Sequence, residues 1–378
     1  EQAKADETTE PEWNITTSDI PVTWTSEPKY DMDAEGDYVF TPVIEDHTVS
    51  ADLPEITVTV GAQPLMMALR TGTPDTYGDF SVSIDEAGEA PTFDESSKTL
   101  TFSAAGEYTV GMADGKTSTT NRIEVTSASN ITLDGVNIDV SSTENAAAFK
   151  ITDTAGAVNL ILAGGSVNTL KSGKYCAGLQ KDTTAEGTML TIGGTGTLNA
   201  TSGGFAAGIG GSNAKNGSYI TISGGRITAT GNGAGIGGGI SASGNHIVIS
   251  GGTVTTKGGY MAAGVGGGHG GDGRYITISG GTVTAEGGYL SVGIGAGTDG
   301  VSSNITISGG SVNAYCYSGN AIGATPTNGA DTPVNVYKVV IPIAGDTTGG
   351  VDISSMTFTS GGNAYIYNMF GAKSILDS

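Results

Sequence analysis

Short apolar runs of period two, each closed by a glycine pair, recur along most of the chain. ITISGG stands at 220–225, 276–281 and 305–310, and IVISGG at 247–252. Weaker copies begin at Leu190 (LTIGGT), Leu160 (LILAGG), Ile131 (ITLDGV) and Leu100 (LTFSAA). Successive copies start 27 to 31 residues apart, giving eight copies of one unit. Each unit contains three β-type segments. The first alternates, as in Ile220-Thr221-Ile222-Ser223, and puts its isoleucines on one face. The second follows the glycine pair, as in Thr253-Val254-Thr255-Thr256. The third sets one apolar residue among glycines, as in AAGIGG from Ala206, GAGIGGG from Gly233 and AAGVGGG from Ala262. A variable polar stretch then leads into the next unit.

Three strands in about 29 residues predict an all-β fold, a right-handed parallel β-helix of about eight three-strand coils. Strands of successive coils pair at ~4.8 Å. Ile209, Ile236, Val265, Ile294 and Ile322 form one predicted inward column, and Ile222, Ile249, Ile278 and Ile307 another. Ala234 points inward two places before Ile236, so the glycines around them leave the outer face of the third strand bare. That face either binds something flat or is covered by the chain. In the second segments the inward Val is flanked by outward pairs, among them Ser166/Asn168, Thr197/Asn199 and Thr282/Thr284. Cys176 falls in a third segment and Cys316 in a second segment five coils later, so both are expected as free thiols.

Composition agrees with a solenoid and with little else. Of 378 residues 63 are glycine and only 14% are charged, which suits neither a helical bundle nor an ordinary α/β enzyme. The net charge is −22, and 24 of the 38 acidic residues lie in residues 1–120 against 5 of the 16 basic ones. Without a basic patch the chain is not expected to bind nucleic acid or anionic lipid. No apolar run approaches the ~20 residues of a membrane span. The chain opens at Glu1 without an initiator Met or a signal-type segment and reads as processed or trimmed.

The flanks read differently. Residues 1–11 suggest a solvated leader. Residues 12–61 hold three alternating runs, Val22-Thr23-Trp24-Thr25, Tyr38-Val39-Phe40 and Ile56–Val60, between acidic turns. VTWTSEPKYD, GDYVFTPV and LPEITVTV resemble the bacterial Ig-like modules of surface proteins from gut Firmicutes. Residues 62–98, with LMMAL at 65–69, are expected to connect to the solenoid and cover its N-terminal end. The solenoid proper takes residues 99–330. NRIEVTSASNITLDGVNID and the ITISGGTVTA repeats resemble the glycine-rich β-helices of the same surface proteins, a non-catalytic branch related to the pectate-lyase-like superfamily. Residues 331–378, with VYKVVIPI and NAYIYNMF, suggest a closing β-rich cap. The resemblance implies an extracellular, bacterial cell-surface setting.

Candidate chemistry is sparse. Glycine motifs such as Gly235-Ile236-Gly237 lack the following helix a dinucleotide site needs and recur in every coil, so no cofactor is expected. Between 187 and 330 the acidic residues are Asp272, Glu286 and Asp299, each in a different coil, which argues against paired carboxylates and a polysaccharide lyase or hydrolase. GGHGGDGRY (267–275) approaches a calcium-binding nonapeptide, but it occurs once and carries Arg274 at an apolar position, so it reads as a turn. His47, His246 and His269 fall in separate contexts, and no metal site is expected. Tyr260 and Tyr289 occupy matching positions in GGYMAAG and GGYLSVG and form the candidate ligand-binding platform for a sugar ring. The expectation is therefore a monomeric, non-catalytic adhesin or glycan-binding β-helix with a glycan or host-matrix partner. A display stalk and a polysaccharide-degrading enzyme are the alternatives.

Overall fold

The computed structural model describes residues 23–28, 36–43, 56–60, 74–85, 88–182, 185–316 and 321–323, with strand segments at 335–336, 340–342 and 350–352. It divides into two units, Glu1–Leu69 and Arg70–Ser378. The first unit holds a three-stranded antiparallel sheet in which Gly36–Val43 lies between Thr23–Glu27 and Ile56–Val60. These are the three alternating runs of the sequence. LMMAL, NAYIYNMF and His47 lie outside the described residues.

The second unit is a stack of coils that wind through three parallel sheets. Seven coils contribute one strand to each sheet, from Ser129–Asp134, Asn137–Asp139 and Phe149–Ile151 to Ser302–Ile307, Ser311–Tyr315 and Ile322–Gly323. Before them runs an incomplete coil of Glu107–Met112 and Arg122–Val125, whose second strand is reduced to a single bridge between Thr119 and Ile138. Both isoleucine columns form in the expected register, with Ile209, Ile236, Val265 and Ile294 paired in succession and fully buried. Burying each side chain is worth about 1.5–3 kcal/mol, so the repeated column supplies much of the cohesion between coils. Cys176 and Cys316 are both free and buried.

Two register expectations are corrected. The copy starting at Leu100 does not open a first-sheet strand: Thr99–Phe102 pairs with Arg122–Val125 in the third sheet. In these early coils both sheets bury alternate large apolar residues, so the pattern alone does not tell them apart. The second correction concerns Val167, which is 58% exposed while Asn168 is fully buried. Leu170 must point inward, and alternation then turns Asn168 inward and Val167 out. The buried amide is satisfied by the backbone. Asn168 Oδ1 accepts from Val136 N at 2.9 Å, and Nδ2 donates to Thr197 O at 3.1 Å.

The N-terminal end of the stack carries added strands and buries the aromatic residues Phe80, Phe102, Tyr108 and Phe149. Phe80–Ile84 adds to the first sheet antiparallel to Glu107–Met112, and Thr92–Asp94 adds to the third beside Thr99–Phe102. Phe102 and Tyr108 pack at 4.6 Å, with Tyr108 Oη donating to Glu89 O at 3.0 Å.

Candidate functional site

One outward column of the third sheet changes character along its length. Pairing places Thr101, Glu124, Lys150, Gln180, Gly210, Gly237, Gly266 and Gly295 in register. At the glycine end the face is not bare. Every residue of GAGIGGG is buried. A Cβ on Gly237 would lie 2.0 Å from Gly266 O, and Gly244, in the connection back to the first sheet, packs on the Gly237 backbone. Gly217 and Gly273 make similar approaches to Gly237 O and Gly295 O. The expected bare face is thus covered by the connections 211–219, 238–246 and 267–272. Only glycine lets backbone approach backbone this closely.

Toward the N-terminus the connections shorten to 152–157 and 126–128, and side chains replace the glycines. There a groove of about 370 Å³ opens over the sheet, within the size range of small-ligand sites. Its charged lining is Asp94, Arg122, Glu124 and Lys150, two acids and two bases in a chain of net charge −22. Lys150 Nζ donates to Glu124 Oε1 at 2.8 Å, with the two side chains 42% and 29% exposed. Arg122 Nη2 donates to Ser97 O at 2.8 Å and to Thr99 Oγ1 at 3.1 Å. Asp94 Oδ1 accepts from Ser96 N, Ser96 Oγ and Ser97 N, and these bonds hold its carboxyl below the usual range.

Gln180 closes the groove on its C-terminal side. It is 6% exposed, and Nε2 donates to Asp182 Oδ2 at 2.7 Å. Its Oε1 is buried and accepts no hydrogen bond. Asp182 Oδ1 accepts from Ser212 N at 2.7 Å and so anchors the first covering connection beside the groove. Burial pushes the Cys176 thiol on the groove wall up to about 11, with Asp182 adding to the rise. Beyond Gln180 in the same strand, Lys181 is fully buried and donates to Ser218 O at 2.6 Å. Desolvation lowers its ammonium to about 8.

Tyr260 and Tyr289 do come together. Their rings stack at 5.6 Å and 13°, with the residues 66% and 43% exposed. Each covers part of a face of the other. Similar ladders join Tyr219, His246 and Tyr275, at 4.5 and 4.7 Å, and Tyr175 with Phe205 at 5.4 Å. Stacking at this spacing is what coil repetition produces wherever aromatic residues occupy matching positions. In GGHGGDGRY, Asp272 is engaged by the chain: Oδ1 accepts from Val301 N at 2.8 Å, and Oδ2 pairs with Arg274 Nη2 at 2.8 Å. Among the described residues no three His, Cys, Asp or Glu side chains cluster as metal ligands.

Five blocks, residues 190–213, 220–240, 247–269, 276–298 and 305–325, match the family model described as Beta helix repeat. The chain is a parallel β-helix protein. No curated protein and no solved structure matches it. The matched blocks of this β-helix are the coils with the covered glycine column, and the groove residues Asp94 to Gln180 all precede them. The groove carboxylates, Asp94 and Glu124, lie before the coils with the strongest repeat and carry no motif of their own. The available signal was the loss of the third-segment glycines together with the shortened connection.

Proposed function

We propose that this β-helix is a non-catalytic, secreted or cell-surface protein that binds glycan and serves in adhesion. The observation that carries the reading is the groove: polar side chains of both hydrogen-bonding senses stand on a rigid sheet, where the covering connections stop. Rigid placement lowers the ordering cost of binding. The groove carboxyls favour binding over catalysis. The serine bonds draw Asp94 toward its ionised form, whereas the general acid of a glycoside hydrolase needs a carboxyl kept protonated. The resemblance of residues 12–61 to Ig-like modules supports the surface setting.

A glycan array probed with the whole chain tests the reading, together with assays for reducing ends and unsaturated products on pectin and host glycans. Saturable array binding without product release is expected. An array without hits removes the glycan reading, and product release from any glycan removes the non-catalytic one.

A further inference from the structure

The groove has a chemistry specific enough to name its ligand class. Its four charged side chains balance and Asp182 stands beside Gln180, so the groove carries no net positive charge to hold a phosphate, a sulfate or a uronate. Donors remain on Lys150, whose ammonium carries three hydrogens of which one is used on Glu124, and on Arg122 beyond the Nη2 contacts. Acceptors remain on Glu124, where Lys150 takes only Oε1, and on Gln180. Apolar lining is confined to Ile123, Ala147 and Cys176. A ligand that donates and accepts at each polar group, as a sugar hydroxyl does, fits this set. A peptide would find few apolar contacts, and the strands under Glu124, Lys150 and Gln180 are each paired on both sides.

Of the four buried side-chain polar atoms without a hydrogen-bond partner among the described residues, Gln180 Oε1 is the one that belongs to a groove residue. A buried amide oxygen without a donor loses the hydrogen bonds it made to water, and native chains rarely leave one. Gln180 cannot satisfy Oε1 by exchanging its amide ends, since Nε2 already serves Asp182. We propose that the groove is a binding site for a neutral pyranose of a glycan chain. In it a sugar hydroxyl donates to Gln180 Oε1, and neighbouring hydroxyls bridge the Glu124 carboxylate and the Lys150 ammonium. Oε1 is buried while Gln180 lines the groove, so a turn of its side chain accompanies binding. This assignment rests on the glycan-binding reading and adds the site and the ligand class.

The test is calorimetric titration of the whole chain with cellotetraose, mannotetraose, galactotetraose and N-acetylchitotetraose. Tetragalacturonate serves as the acidic counterpart and a collagen-like peptide as the protein counterpart. A neutral saccharide is expected to bind, with Gln180→Met and Glu124→Gln each weakening it about tenfold, one hydrogen bond's worth. Tyr260→Ala is expected to stay within about twofold. Thr101→Arg, which fills the groove from a neighbouring strand, should abolish binding and covers the case in which Gln180→Met fails to fold. Saccharide binding that all groove variants retain overturns the site while leaving the glycan reading intact. Preference for tetragalacturonate overturns the ligand class. Binding of the peptide alone, or of none of the probes, overturns both.

Discussion

Gly237→Ala tests whether the third-sheet glycines exist for backbone contact. Gly237 has φ +130°, in the region L side chains rarely adopt, and the new Cβ would sit 2.0 Å from Gly266 O. That oxygen also accepts the hydrogen bond from Gly238 N at 3.0 Å. Backbone strain of about 1–3 kcal/mol and a compromised buried hydrogen bond of about 1–3 kcal/mol sum to roughly 2–6 kcal/mol. Gly165 is the control: its φ is +76°, but a Cβ there meets nothing within 4 Å. Gly165→Ala should therefore cost only the left-handed strain, about 1–2 kcal/mol. Repeat arrays need not unfold in one step, so urea unfolding should be paired with amide exchange resolved by coil. Gly237→Ala is expected to lose protection at Gly238 and in the coils on either side, and Gly165→Ala to lose little. Equal destabilisation by the two substitutions would refute the covered-face argument.

Asn168→Leu places an apolar side chain in an apolar column yet leaves Val136 N and Thr197 O without their amide partner. Urea unfolding should show a loss of about 2–3 kcal/mol, and a gain in stability would show that the amide contributes nothing there. Cys176 and Cys316, each raised to about 11 by burial, should resist a thiol reagent at pH 8 in the folded chain and react on denaturation. Rapid native labelling contradicts this. Lys181, lowered from 10.5 to about 8, binds its proton more weakly when folded, so its contribution to stability is lost as pH falls and grows between about pH 8 and 10.5. The rise is of order 3 kcal/mol, opposed above pH 9 by the two thiols, and Lys181→Met should remove it from the urea-midpoint profile. An unchanged profile would mean the amine is not desolvated.

The fold was legible because one coil repeats. ITISGG states alternation and turn together, and seven near-copies place Ile222, Ile249 and Ile278 in one column without further information. Asn168 was not legible, since its inward position follows from Leu170 needing burial and from backbone partners on other coils. The glycine face was read half correctly. Sequence shows an absence of side chains, but not that Gly244 folds back over Gly237. The groove escaped notice for the same physical reason. It arises where a periodic feature stops, and Thr101, Glu124, Lys150 and Gln180 are non-contiguous positions joined only by the stacking of coils.

The most direct measurement of the central claim is a crystal structure of the whole chain soaked with the neutral tetrasaccharide it binds best. A pyranose ring over Glu124 and Lys150, with a hydroxyl within 3.2 Å of Gln180 Oε1, is the predicted result. A saccharide resting on Tyr260 and Tyr289 with the groove unoccupied would contradict the account.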